Sequence, residues 1–270
     1  MSGDYPYGQH RVTCPSCSRG PRDRSAGLRV DDGGSVIHCF RCGHIESSQK
    51  KRPAIPRSPT VKTAPEQHII LNDWGCALWA STLELSGEAR AYLEARHCRI
   101  PPPDSDLRWH PSLKHPSGYV GPALVALLTD SMDYRVKRSL HRTWVCGDGT
   151  KAPIDTPRLL LAGHAKAGAV CRLWPDEAVT MGLGVAEGIE TALSLAHAFC
   201  PVWATVDASG LAALPVLAGV ESLTIGADND PAGIKAATTC ADRWAAAGRE
   251  VRIVKPREHK KDLNDLAVTA

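Results

Sequence analysis

From Gly182 to the end of the sequence, short apolar runs alternate with amphipathic stretches: "LGVA", "IETALSLAHAF", "VWATV", "LAALPVL", "SLTIGA", "AGIKAATTCADRWAAA", "EVRIVKP". The short runs have the length of buried strands. The stretches between carry apolar residues at helical spacing, as Ile189, Ala192, Leu193 and Ala196 do. This alternation predicts an α/β fold, a parallel sheet with helices on both faces. The run Leu223 to Ala227 breaks off in Asp228-Asn229-Asp230, and Pro231, Ala232 and Gly233 then open a helix. Both carboxylates thus fall at a strand's carboxyl end, where open α/β sheets bind ligands.

Upstream the pattern is mixed. "CALWASTLELSGEARAYLEARHC" has helical spacing with a break near Ser86-Gly87, predicting two helices, the second stopped by Pro101-Pro102-Pro103. Val120 to Leu128 and Tyr134 to Trp144 read as strands of an α+β segment. The second strand groups Arg135, Lys137, Arg138, His141 and Arg142. These are either a face for nucleotide or template phosphates or the charges of a solvated edge strand. Trp144, Trp174 and Trp203 sit in apolar surroundings that predict core packing.

Cysteine spacing changes the picture at the front. Cys14-Pro-Ser-Cys17 and Cys39-Phe-Arg-Cys42 form two C-x2-C knuckles separated by 21 residues. Two such knuckles converge four thiolates on one structural Zn2+. Between them Asp31-Asp32-Gly33-Gly34 reads as the turn of a hairpin, completing a zinc ribbon. His38 and His44 are surplus to the four-cysteine set. Phe40 and His38 offer faces on which bases stack, or Phe40 caps a small core. "SSQKKRPAIPRSPTVKTAP", with four prolines, five Lys/Arg and no acid, reads as a basic linker. The predicted organisation is therefore 1–46 zinc ribbon, 47–66 linker, 67–181 α+β segment and 182–270 parallel-sheet domain. The other cysteines, Cys76, Cys98, Cys146, Cys171, Cys200 and Cys240, lack paired spacing and read as small buried apolar groups.

The formal charge of +3 hides an uneven distribution: eleven Lys/Arg against six Asp/Glu over 1–66, thirteen against twelve over 67–182, and eight against eleven over 183–270. A basic front suits a polyanion, and an acidic back needs divalent cations before it can approach one. No run of 18 apolar residues occurs, and the first twenty residues lack the order of a secretory signal. The expectation is a cytoplasmic protein without a membrane partner.

Acids follow three strands of the back segment: Glu187 with Gly188, Asp228 with Asp230, and Asp262 with Asp265. If these strands are neighbours, the carboxylates converge and require Mg2+ or Mn2+ to hold them together. Glu190 reads as first-turn compensation of a helix dipole.

The E-G pair at Glu187-Gly188 and the D-x-D of Asp228 and Asp230 resemble the motifs of Toprim domains, found in bacterial and phage DNA primases, type IA and II topoisomerases, OLD-type nucleases and RecR-type mediators. "KDLND" resembles the further acidic motif of primases, placing Asp262 and Asp265. The resemblance implies that Glu187 is a general acid/base or metal contact and that the aspartates are metal ligands. "LRWHP", "HRTW" and "LLLAG" ahead of "VAEGIETALSL" resemble the segment before Toprim in phage and mobile-element primase-like proteins. Those proteins read arginine-glycine after "YL", where this chain has Arg96-His97. Replicative primases also commonly use a histidine among their zinc ligands, where this chain has four cysteines.

The resemblance implies a DNA primase making short RNA from rNTPs on a single-stranded DNA template by metal-assisted nucleotidyl transfer. Arg135, Lys137, Arg138, Arg142, Lys260 and Lys261 would grip triphosphates. The alternatives are a non-catalytic RecR-like mediator and a Toprim metal-dependent nuclease. A topoisomerase is disfavoured by the absence of a recognisable tyrosine-bearing cleavage domain. No G-x4-G-K-[ST] occurs in the sequence, so any replicative helicase is expected to be a separate partner.

Overall fold

The computed structural model describes residues 5–49, 70–164, 166–259 and 261–269. The chain forms two compact units divided between Lys62 and Thr63. Among the described residues no helix is long and apolar enough to cross a membrane.

The first unit is an antiparallel sheet of β1 (Gly8–Val12), β2 (Ala26–Asp31), β3 (Gly34–Cys39) and β4 (Ile45–Gln49), in that spatial order. The predicted hairpin is β2 and β3, with Asp31 paired to Gly34 across Asp32-Gly33. The Asp31 carboxylate accepts from the Gly33 amide at 3.0 Å and so fixes the turn. Strands β1 and β4 flank this hairpin. Ser47 to Gln49, expected to start the linker, instead finish β4, and residues 50–66 of that linker lie outside the described residues. The core of Val12, Cys14, Ala26, Leu28 and Cys39 is too small to hold such a sheet unaided.

The second unit is built on one nine-stranded sheet. In chain order its elements are α1 (Asp73–Ala80), α2 (Gly87–Ala95), β5 (Leu107–Lys114), β6 (Val120–Asp130), β7 (Lys137–Trp144), β8 (Arg158–Leu160), β9 (Ala169–Arg172), β10 (Gly182–Ala186), α3 (Ile189–Leu195), β11 (Val202–Ala204), α4 (Ala208–Ala213), β12 (Ser222–Gly226), α5 (Pro231–Ala246), β13 (Glu250–Val254) and α6 (Leu263–Thr269). The spatial order is β13-β12-β10-β11-β9-β6-β7-β8, with β5 also on β6. Strands β10 to β13 pair in parallel as predicted, and all other pairings are antiparallel.

The seam between the two kinds of pairing is β9 against β11, where Arg172 faces Trp203. Arg172 is buried, its guanidinium 4.5 Å from the Trp203 ring centroid, donating to the Thr129 hydroxyl and to the Asp130 and Ser131 carbonyls. A cation buried there is tolerable because these acceptors and Asp176 satisfy it. Alternation along β6 then separates the cores. Leu124, Ala126 and Leu128 join α2 and α3 on one face, and Ala123, Val125 and Leu127 join α1 and Trp144 on the other. Helices α4 and α5 cover the parallel strands with Leu211 and Trp244. Trp144 and Trp203 are core residues, as expected.

The break predicted near Ser86-Gly87 runs from Ser81 to Ser86, the residue that precedes α2, and Leu83 within it bridges Trp109. Two local expectations change. Strand β7 lies between β6 and β8, so it is no solvated edge. Cys76 is exposed, whereas Cys98, Cys171 and Cys240 are buried.

The chain also turns tightly after α2 without a glycine. His97 takes the left-handed conformation at φ 53°, its amide donating to Glu94 and that of Cys98 to Leu93, which closes a Schellman cap. An exposed histidine held there carries a backbone cost that glycine avoids. His97→Gly is therefore expected to stabilise the protein by about 0.5–1 kcal/mol, read as a higher denaturant midpoint.

Candidate functional site

Parallel pairing of β10, β11 and β12 brings their carboxyl ends to one edge, and each is followed by an acid. Glu187 follows β10, Asp207 comes after β11, and Asp228 and Asp230 come after β12. The groups sense one another. The Asp228 pKa is raised to about 6, first by burial and then by the charges of Asp262, Glu187 and Asp230. Glu187 is raised by burial, then by Asp207 and Asp230. Asp207 was absent from the expected set, although the rule that found the others, an acid beyond a strand's carboxyl end, also covers it.

Several of these acids double as helix caps. Asp230 accepts from the Gly233 amide at 2.7 Å, and Asp207 from the Gly210 amide at 2.7 Å. Gly233 is required for the first: a Cβ there would lie 2.7 Å from the Asp228 carbonyl oxygen. Asp262 and Asp265 cap α6 reciprocally, the Asp265 amide donating to Asp262 at 2.8 Å and the Asp262 amide to Asp265 at 3.2 Å. Asp265 stands three residues after Asp262, and the charges that raise the Asp228 pKa most are those of Asp262, Glu187 and Asp230.

Asn229, the middle residue of the D-x-D, brings Asp262 to this edge. It is buried, and its side-chain amide donates to the carbonyls of Pro256, Arg257 and Glu258 at 3.1, 3.2 and 2.8 Å. Its backbone amide donates to the Lys261 carbonyl at 2.9 Å, one residue before Asp262. The loop after β13 is thus tied to the end of β12.

The predicted cations do not gather here. Arg135 precedes β7 and pairs with Asp133 at 2.9 Å, and Arg138 pairs with Asp130. Arg142 is 6% exposed, burial lowers its pKa, and it donates to the Leu160 carbonyl at 3.3 Å. Lys137 is exposed beside Arg108, Tyr134 and Arg172, lining a cavity of about 380 Å³. Lys260 lies outside the described residues, and Lys261 stays next to Asp262.

Other cations reach the acids. Lys166 pairs with Asp207. The pKa of Lys151 is lowered, first by burial and then by Arg158, while Glu190 raises it; Arg96 and Asp262 act in the same neighbourhood. Glu190 is no exposed dipole partner: it is buried, accepts from the Tyr92 hydroxyl at 2.7 Å and pairs with Arg158.

The donor set suits a hard divalent cation. Asp228 Oδ1 is buried without a hydrogen-bond partner among acids that raise its pKa. Among the described residues only the four cysteines bring three or more ligand atoms within 4.8 Å of one another, so the carboxylates form no closed cage. Magnesium requires none, since it keeps waters and takes substrate phosphates beside one or two carboxylates.

The cysteines are arranged for zinc. Cys14 and Cys42 Sγ lie 3.7 Å apart, and Cys17 and Cys39 Sγ 3.6 Å. Zn–S bonds of about 2.3 Å in a tetrahedron place sulfurs roughly 3.8 Å apart. The Cys42 and Arg41 amides act on Cys39 and lower its thiol to about 6, favouring the thiolate that a metal binds. On the same unit Phe40 is 63% exposed, with the Arg11 guanidinium 4.6 Å from its ring centroid and His38 edge-on at 5.0 Å. It lies against Gly27 of β2, open to solvent.

Residues 182–270 match the Toprim domain family, and residues 72–172 match a family described as Domain of unknown function (DUF7146). The back of the chain is thus a Toprim domain, preceded by an α+β region and a four-cysteine zinc-binding cluster. No curated protein gives a match. Among solved structures the chain is similar to the primase fragment of the bacteriophage T7 primase-helicase protein, at 17% identity over 96% of this chain and 94% of that one, with a TM-score of 0.44. It is also similar to the Aquifex aeolicus primase zinc-binding and RNA polymerase domains, at 14% identity over 98% and 77%, with a TM-score of 0.45. A DNA primase domain from Pseudomonas aeruginosa aligns at 16% identity over 58% and 52%, with a TM-score of 0.38.

Two outcomes are expected. Metal analysis should find zinc at one equivalent per four-cysteine cluster, and Cys39→Ser should abolish it along with the chelator-sensitive β signal of the first unit. Asn229→Ala should lower stability by about 1–3 kcal/mol and speed amide hydrogen exchange most over residues 257–259.

Proposed function

We propose that this protein is a DNA primase, making short RNA on single-stranded DNA by metal-assisted nucleotidyl transfer. The observation that carries the reading is the crowding of Glu187, Asp230 and Asp262 around Asp228, with basic side chains of the preceding segment in the same field. Asp228, Asp230 and Asp262, with Glu187, would hold Mg2+ or Mn2+. When bound, such an ion lowers the pKa of the attacking 3′-hydroxyl and neutralises the departing pyrophosphate.

The chain's own residues supply the remainder. Glu187 has a pKa raised by burial and then by Asp207 and Asp230, a state suited to receiving a proton at the reacting centre. Lys151, Arg158 and Lys166, with Lys261 beside Asp262, replace Arg135, Arg138 and Arg142 as the cations that grip triphosphate. The latter three are engaged or buried elsewhere. The ribbon would hold the template, its exposed Phe40 flanked by Arg11 and His38 offering a stacking face for unpaired bases. A replicative helicase would act as a separate partner.

Incubation with a varied set of single-stranded templates, rNTPs and Mg2+ is expected to give labelled oligoribonucleotides. Asp228→Asn should lower the yield by about 100-fold or more, and Arg135→Ala should leave it within about 2-fold. Template shortening would instead identify a nuclease. DNA binding without either product, unaffected by Asp228→Asn, would identify a mediator.

A further inference from the structure

One carboxylate of the Toprim domain has no part in the proposed metal site and is still buried with two partners from the preceding segment. Glu190 stands in the first turn of α3, three residues after Glu187, and is 6% exposed. A carboxylate buried so deeply survives ionised only with strong partners. Burial acts to raise its pKa, but Arg158 and the Tyr92 hydroxyl outweigh this and hold it at about 2. Both partners come from the preceding segment, Tyr92 from α2 and Arg158 from β8.

Arg158 is different in exposure. Its side chain is 41% exposed against 7% for that of Glu190, so the pair is open to solvent on the arginine's side. Glu190 follows Glu187 by three residues, within the first turn of α3, so its pair with Arg158 stands close to the strand-end acids. The other groups around the pair leave this polarity intact. The Nδ1 of His141 is buried and unpartnered, and its pKa is lowered to about 4, first by burial and then by Arg158, so it adds no charge at neutral pH. Arg96 adds a further cation, with its Nε buried and unpartnered.

We propose that Glu190 is a positioning residue, which fixes Arg158 so that its free face receives the polyphosphate of the incoming nucleotide. The location of that polyphosphate rests on the polymerase reading above. An arginine pinned on one side loses less freedom when it binds an anion with the other, so the benefit of the buried pair appears as phosphate affinity. The pair also joins a Toprim helix to a strand of the preceding segment, so cations and acids are set in register.

The test uses the full chain and inorganic tripolyphosphate with Mg2+, titrated by calorimetry so that no turnover is required. Glu190→Gln and Arg158→Gln are each expected to weaken binding about 10-fold, and the double variant no more than either single change. The idea is overturned if the wild type does not bind tripolyphosphate or if a folded Glu190→Gln chain binds as the wild type does. It is equally overturned if Glu190→Gln costs as much without Arg158 as with it, the pattern of a merely structural brace. Should Glu190→Gln fail to fold, Tyr92→Phe keeps the charge and takes its place. A loss of about 3-fold that disappears in the Arg158→Gln background supports the proposal, and an undiminished loss sinks it. Primer synthesis is assayed in parallel: an intact coupling in a chain that makes no RNA supports the positioning role and contradicts the polymerase reading alone.

Discussion

Repulsion among carboxylates at the ends of parallel strands is the constraint on which the arrangement depends. Parallel pairing of β10, β11 and β12 leaves Glu187, Asp207, Asp228 and Asp230 little choice of location, because each follows a strand whose end lies beside the others. Like charges so close raise one another's pKa and oppose folding. The fold answers with local donors: the Gly233 and Gly210 amides donate to Asp230 and Asp207. The orphaned Asp228 oxygen is what these donors leave unsatisfied, and a divalent cation is the group that suits it.

Opposite charge comes from the segment before the Toprim domain, and the sheet explains how it arrives. Because β9 pairs with β11, the antiparallel and parallel halves share one scaffold, with Arg172 sealing the seam against Trp203. The loop carrying Lys166 leads into β9, and β8 carries Arg158 to Glu190 of α3. Cations and acids are thus positioned by strand pairing and by a buried ion pair.

Features that depend on spacing along the chain were legible in the sequence. Two C-x2-C knuckles, the glycine turn between β2 and β3, and acids after apolar runs each describe local geometry, and the structure bears these placements out. Features decided by which strand lies beside which were not legible. Arg142 reads as a phosphate grip until Leu140 and Trp144, on its own face of β7, are known to belong to a packed core. Glu190 reads as a dipole partner until Tyr92 and Arg158, distant in sequence, close over it. Asn229 reads as the spacer of a motif, yet three carbonyls of a loop some thirty residues on converge on its amide. His97 shows that a turn can be kept where glycine is missing, at a backbone cost the surrounding packing absorbs.

The claim that the strand-end acids gather a catalytic cation is tested most directly by anomalous scattering from crystals grown with Mn2+ and a nucleotide. The account predicts a manganese peak within about 2.5 Å of a carboxylate oxygen of Asp228, with Glu187, Asp230 or Asp262 also in its shell. Manganese found elsewhere, with Asp228 making no contact to it, would contradict the account.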